Sequence, residues 1–169
     1  ERAANNLPVN NTYTIHHLAD KYLDDVDDMA KDNEQRKAEG FPPRYRVYGG
    51  KSYWTKYSKK RTWDTWRLYI TPWIRSLPDT KGMKGKLIQE WNKRLVDEFD
   101  DYLVENFRHL SIETRLKTGV EINLFTSWLY DKRYTNDVFK VARASRGGVA
   151  EQRKRMRKEI SEKDYMRMI

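Results

Sequence analysis

A chain of 169 residues without a single cysteine has room for one domain with a real core, and it is barred from disulfide frameworks, thiolate catalysis and cysteine zinc sites. Its mean hydropathy of -1.00 and 35% charged residues lean toward disorder, yet six Trp, eleven Tyr and five Phe give far too much aromatic surface for an unfolded polymer. No apolar run is long enough to span a bilayer, Glu1 to Asn11 lacks the pattern of a signal peptide, and a formal charge of +9 makes a polyanion the first partner to consider.

Glu1 to Asn11 is rich in Asn, has no periodicity and reads as a flexible tail. A helix is predicted from Thr12 or Thr14 onward, where Ile15, Leu18, Tyr22, Val26 and Met29 fall at helical spacing, and Gly40 with Pro42 and Pro43 stops it. The rest of this helix is acidic, with Asp20, Asp24, Asp25, Asp27, Asp28, Asp32, Glu34 and Glu39. Asp20, Asp24 and Asp28 would repel one another in isolation, so a basic surface is expected against them. Phe41 to Gly50 reads as a linker with Pro-Pro at one end and Gly-Gly at the other.

A second helix is predicted from about Ser52 to Thr71, kinked or ended by Pro72, and Pro78 to Gly85 reads as a loop. Ile88, Trp91, Leu95, Phe99, Tyr102, Leu103, Phe107 and Leu110 then form the clearest amphipathic stripe in the chain. Ser111 to Thr114 has a capping-like start, and Gly119 is expected to divide it from a segment carrying Val120, Ile122, Leu124, Phe125, Trp128, Leu129 and Tyr130. Val120 to Leu124 also alternates in the manner of a strand. A further helix is predicted from Thr135 to Ala144, with Val138, Phe139, Val141 and Ala142 buried and Gly147-Gly148 ending it. The terminal stretch carries a second basic cluster, Arg153, Lys154, Arg155, Arg157 and Lys158. The expected organisation is all-α: a tail over 1–11, a helical arm over 12–77, a helix-bundle core over 78–148 and a basic helix over 149–169.

Most of the charge sits between Phe41 and Arg75. Arg44, Arg46, Lys51, Lys56, Lys59, Lys60, Arg61, Arg67 and Arg75 stand there against a single acid, Asp64, interleaved with ten of the 22 aromatics. Cations neutralise phosphates and release counterions, while flat rings lie against sugars and bases, so this composition suits a nucleic-acid surface. Solubility alone would intersperse acids, as they are between Leu87 and Leu110. The candidate binding residues are those nine cations together with Tyr53 and Trp54. Tyr45 and Tyr48 join Tyr53 and Trp54 as expected sugar or groove contacts, whereas Trp66 and Trp73 are expected in the core.

Catalytic signatures are sparse. Adjacent His16 and His17 point about 100° apart on a helix, and His109 suits a helix C-terminus. Gly49-Gly50-Lys51-Ser52 has only the tail of a phosphate loop, and there is no GxGxxG sequence. Asp24, Asp25 and Asp28 offer a metal-dependent nuclease reading, but the run reads better as a solvated or partner-facing surface. The expected protein is not an enzyme and needs no cofactor or metal.

A basic, aromatic arm with a bend at GFPPRYRVYGG, followed by a separate apolar bundle in a cysteine-free chain, resembles the major coat proteins of archaeal filamentous viruses of the lipothrixvirus type. That resemblance implies a virion structural protein, and hence a virion location, that coats double-stranded DNA in a helical filament. It also implies homologous coat subunits as partners, among them a second, paralogous coat protein, and contact with a lipid envelope. Within it Leu87 to Ser145 would form subunit contacts, and the basic C-terminal cluster would meet nucleic acid, an acidic membrane surface or the acidic helix of a neighbouring copy. The alternative expectation is a sequence-specific DNA-binding regulator with a helix-turn-helix-like element, distinguished by a large affinity ratio between one site and random DNA.

Overall fold

The computed structural model describes residues 13–48 and 50–140, and it is all-α. Helix α1 spans Ile15–Ala38. Thr14 starts it, its hydroxyl accepting the His17 N–H at 3.1 Å. The residues just before α1 lie antiparallel to the run entering the third quarter of the chain: Ile15 N donates to Lys86 O at 2.8 Å and Ile88 N to Tyr13 O at 3.0 Å. Gly85 makes that approach possible, because its φ of +98° is a left-handed conformation and a Cβ there would sit 3.1 Å from Thr14 Cγ2. The predicted stripe of α1 is buried as expected, and Ala19, Ala30 and Asn33 are buried with it.

The segment after α1 is a short hairpin rather than an open linker. Arg46 and Tyr53 pair antiparallel, with Val47 N donating to Ser52 O at 2.8 Å and Trp54 N to Tyr45 O at 3.0 Å. Asn33 clamps this hairpin to α1 from beneath. Its Oδ1 accepts from Arg44 N and Tyr45 N at 2.9 and 3.0 Å, and its Nδ2 donates to the carbonyls of Tyr45 and Trp54, each at 2.9 Å.

Helix α2, Lys56–Thr65, begins four residues later than the sequence predicts, because Thr55 and Ser58 form a reciprocal cap. Pro72 does not end the helical run. The chain widens into a π-helical turn at Trp66–Ile70, closed by Thr71 N–H to Trp66 O, and continues as α3, Thr71–Ser76, with Pro72 in its first turn. Proline lacks the N–H and crowds the carbonyl four residues back, and the wider turn moves the upstream carbonyls out of that clash.

The long apolar stripe from Leu87 to Leu110 is interrupted. Ile88–Glu90 forms one 3₁₀ turn, Asn92 then caps α4 by accepting Leu95 N–H at 2.9 Å, and α4 runs over Lys93–Asn106. Helix α5 spans Ile112–Asp131, capped by Ser111. Gly119 does not divide it, and Val120 to Leu124 is helical rather than extended, since Thr118, Ile122, Phe125 and Leu129 return to the core at helical intervals. After Arg133, at φ +65°, the chain from 135 to 140 is not helical and Val138 is exposed, so the helix predicted from Thr135 does not form there. Its residues 141–144, the tail over 1–11 and the basic segment over 149–169 lie outside the described residues.

Residues 13–77 and 78–140 share one buried cluster. At its centre Tyr22 of α1, Trp66 of the π turn and Phe125 of α5 meet at ring separations of 5.1 to 5.6 Å, and Trp91 joins Phe125 at 5.1 Å. Trp73 and Phe99 pack at 4.9 Å beside them. Trp66 and Trp73 are therefore core residues, as the sequence reading anticipates.

Candidate nucleic-acid interface

The basic window is built on two rigid pieces, the hairpin held by Asn33 and the continuous helical run from α2 to α3. Its cations divide by their partners. Arg44 makes a bidentate pair with Asp32, both contacts at 2.9 Å, and Lys59 reaches Asp27 at 3.2 Å. Lys60 and Arg67 flank Asp64 at 2.7 and 3.9 Å. Arg46, Lys51, Lys56, Arg61 and Arg75 are exposed, and among the described residues none of the five has a carboxylate at ion-pair distance.

The near absence of local acids therefore overstates the free charge. Two of the neutralising carboxylates, Asp27 and Asp32, come from the acidic face of α1, which packs beside α2 and the hairpin. These pairs are not the basic surface expected against Asp20, Asp24 and Asp28, which lie elsewhere on the helix. The pairing shows in the titration of its members. Hydrogen bonds from Lys31 and Lys59 hold the Asp27 carboxyl below its usual range, Lys60 and Arg67 do the same for Asp64, and Asp32 raises the Arg44 guanidinium. Asp24 and Asp28 remain exposed beyond the window.

Four rings of the window lie against its cations. Arg44 lies over Tyr45 at 5.0 Å, Arg46 over Tyr53 at 5.0 Å, Lys56 over Tyr57 at 5.2 Å and Lys59 over Trp63 at 4.7 Å from the ring centroids. Arg46 also donates to the Tyr53 hydroxyl at 3.2 Å. Each ring thus holds a cation in place through its negative face, which restricts the long side chain without neutralising it. Tyr57 is 70% exposed. Trp54 is corrected outright: it is 1% exposed and belongs to the core, so it cannot contact a sugar or a groove. Tyr48 is half buried, its hydroxyl 3.5 Å from Asp131, and burial pushes its phenol up to about 12.

Two clefts of opposite character flank α1. One, of about 500 Å³, lies between α1 and α2 and is lined by Lys31, Lys56, Lys59, Lys60 and Tyr57 with Asp27 and Glu34. The other, of about 440 Å³, is lined by Asp25, Asp28, Asp32 and Asp131 with Tyr45, Tyr48, Met29 and a single cation, Lys132. Among the described residues no three carboxylates or histidines are arranged to hold a metal ion, and no helix is long and apolar enough to cross a membrane. Asp25 is engaged elsewhere, accepting the Trp128 indole N–H at 2.9 Å.

Two residues that bear on this surface carry no signal as single letters in the sequence. Asn33 reads as one more polar residue on an acidic helix, and only the 11 to 21 residue separations of its hydrogen bonds reveal its role. Glu121 reads as a solvent-side acid between Val120 and Ile122, yet it is largely buried against α2 and accepts the Thr62 hydroxyl at 3.1 Å. The chain matches no protein-family model, no curated protein and no solved structure.

Proposed function

We propose that this chain is a virion coat protein that packages genomic double-stranded DNA through sequence-independent contacts to the phosphate backbone and assembles with further coat subunits into a helical filament. The observation that carries the reading is the set of exposed cations without carboxylate partners, Arg46, Lys51, Lys56, Arg61 and Arg75, displayed on a clamped hairpin and one unbroken helical run. Phosphate contacts of this kind position a protein without reading sequence. The run from Lys56 to Ser76 is roughly 30 Å long at about 1.5 Å per residue, long enough to lie across a groove of a duplex and meet phosphates on either side of it. Arg44, Lys59, Lys60 and Arg67 contribute by exchanging a carboxylate for a phosphate. Tyr53 orients Arg46 rather than touching the nucleic acid through its face.

The acid-lined cleft is an acidic patch beside the basic window, and contact of one copy's acidic patch with the basic surface of the next is a head-to-tail arrangement that yields an open filament. The basic cluster from Arg153 to Lys158 is the natural occupant of a neighbour's acidic face in that arrangement. A paralogous second subunit and a lipid envelope complete the proposed particle.

The test is the salt dependence of duplex binding. Lys56→Ala and Arg61→Ala should each flatten the slope of log affinity against log salt by about one unit, with affinity equal across unrelated sequences. Electron microscopy of the protein with linear DNA should show regular filaments. An unchanged slope in both variants removes the window as the binding surface, and a large preference for one sequence would replace the coat by a regulator.

A further inference from the structure

Glu121 stands on α5 at its contact with α2, in a place that suits an acid poorly. Thr62, fully buried on α2, donates its hydroxyl to Glu121 Oε1 at 3.1 Å. Glu121 Oε2 is buried and has no hydrogen-bond partner within the protein. The charged and titratable groups that bear on it come from two elements. Arg61 of α2 favours the ionised carboxylate, and Tyr22 of α1 presents a phenol that is itself buried without a partner. Asp25 of α1 and Tyr48 of the hairpin act on that same phenol. The π turn sends Trp66 and Ile70 inward and Arg67 outward toward Asp64.

A carboxylate with one oxygen unmet in a desolvated site is costly, whereas the protonated carboxyl is neutral and gains a donor. Burial accordingly raises the Glu121 carboxyl to about 7, against the opposing pull of the Thr62 hydrogen bond and of Arg61. We propose that Glu121 is a proton-operated seat for the basic helix: protonated, it locks α2 onto α5, and its ionisation loosens α2 together with Lys56, Lys59, Lys60 and Arg61. A phosphate placed on Arg61 cancels the charge that favours ionised Glu121, so backbone binding and proton uptake reinforce each other. That last link rests on the function proposed above, while the seat itself does not.

The seat is tested on the full chain without nucleic acid, by amide hydrogen exchange of α2 from about pH 5.5 to about 8.5, corrected for intrinsic exchange. Protection should fall roughly 30-fold in the wild type, the factor expected for a carboxyl titrating at about 7 when seated and at 4.5 when free. Glu121→Gln keeps an acceptor for Thr62 and should hold protection within about twofold across the range. A wild type as flat as the variant, or a variant that keeps the fall, overturns the seat. Should the variant fail to fold, the carboxyl carbon of Glu121 followed by NMR in the wild type decides instead: an inflection near 7 supports the seat and one near 4.5 overturns it. Duplex affinity of the wild type should weaken over the same range. Affinity that stays flat while exchange shows the fall upholds the seat and refutes the part given to α2 in binding DNA.

Discussion

Replacing Asn33 by alanine removes four hydrogen bonds at once from the join between α1 and the hairpin. The side chain is 3% exposed, and its partners are two backbone N–H groups, of Arg44 and Tyr45, and two carbonyls, of Tyr45 and Trp54. A typical intramolecular hydrogen bond has a net value of about 1 kcal/mol, and a buried group left without a partner costs about 1–3 kcal/mol. The three contacts at part-buried positions can recover water, but the bond to Trp54 O is buried and cannot. The expected loss is therefore about 2–4 kcal/mol, well outside the range of about 0.5 kcal/mol for ordinary surface substitutions. Urea unfolding followed by far-UV circular dichroism measures it directly. In the folded variant the hairpin also loses its register, so Arg44 and Arg46 no longer hold fixed positions and duplex affinity drops with stability. Asn33→Asp is the informative companion, because it keeps the acceptor and loses both donors, setting a carboxylate against two carbonyls. It should be at least as damaging at neutral pH and should recover on acidification, as the protonated carboxyl regains a donor. A loss below about 1 kcal/mol for the alanine variant would refute the clamp and leave the hairpin held by its packing alone.

Three further outcomes follow from other parts of the structure. Because the folded Glu121 carboxyl lies at about 7 against an ordinary 4.5, the folded state binds the extra proton between those values, and stability is full below the lower one and falls as pH rises through the higher. Denaturant unfolding at about pH 5 and about pH 8 should show a wild-type loss of about 2–3 kcal/mol that Glu121→Gln lacks, and equal losses would count against the burial argument. Asp64→Asn frees Lys60 and Arg67 for phosphate, so the salt slope of duplex binding should steepen by about one to two units, with stability changed by less than about 1 kcal/mol. Trp54→Ala, where it still folds, should leave duplex affinity at fixed salt within about twofold, and a loss of about tenfold or more in the folded variant would return Trp54 to the binding surface.

Periodicity carried the fold where the chain obeys one rule at a time. The α1 stripe and the inward positions of α4 are legible because a single 3.6-residue repeat decides which side is buried. It failed where two local rules compete. At Pro72 the missing N–H argues for a stop, yet packing of Trp66, Ile70 and Trp73 on α5 and α4 repays a π turn that keeps the helix going. At Asn92 the apolar repeat argues for continuity, yet a good cap lets Trp91 leave the helical register and point its indole N–H at Thr126, 3.1 Å away. Gly119 stops nothing because it is enclosed within a helix whose neighbours Thr118 and Ile122 are buried. Beyond Tyr134, Thr135 is buried and Phe139 packs on the core, but Val138 is exposed and residues 135–140 are not helical.

Charge was the hardest thing to read from the sequence, for a reason that bears on the function. A window counts cations against acids within reach along the chain, whereas a folded protein pairs them through space. Asp27 and Asp32 lie some twelve to thirty-two residues from their partners, and they convert two of the nine window cations into members of an internal ion pair. Pairing does not disqualify such a surface. Exposed ion pairs are weak, so a polyanion with many regularly spaced phosphates can displace the carboxylates of Lys60 and Arg67 at small cost while taking the unpaired cations without any. Displacement at Lys60 and Arg67 returns negative charge to Asp64 on α2 itself, whereas displacement at Arg44 and Lys59 would return it to Asp32 and Asp27 of α1, beside Asp25 and Asp28. A coat protein that bound duplex through Arg44 and Lys59 would thus become more attractive to the basic surface of the next copy only after it had engaged its own stretch of backbone, coupling assembly to packaging through electrostatics alone.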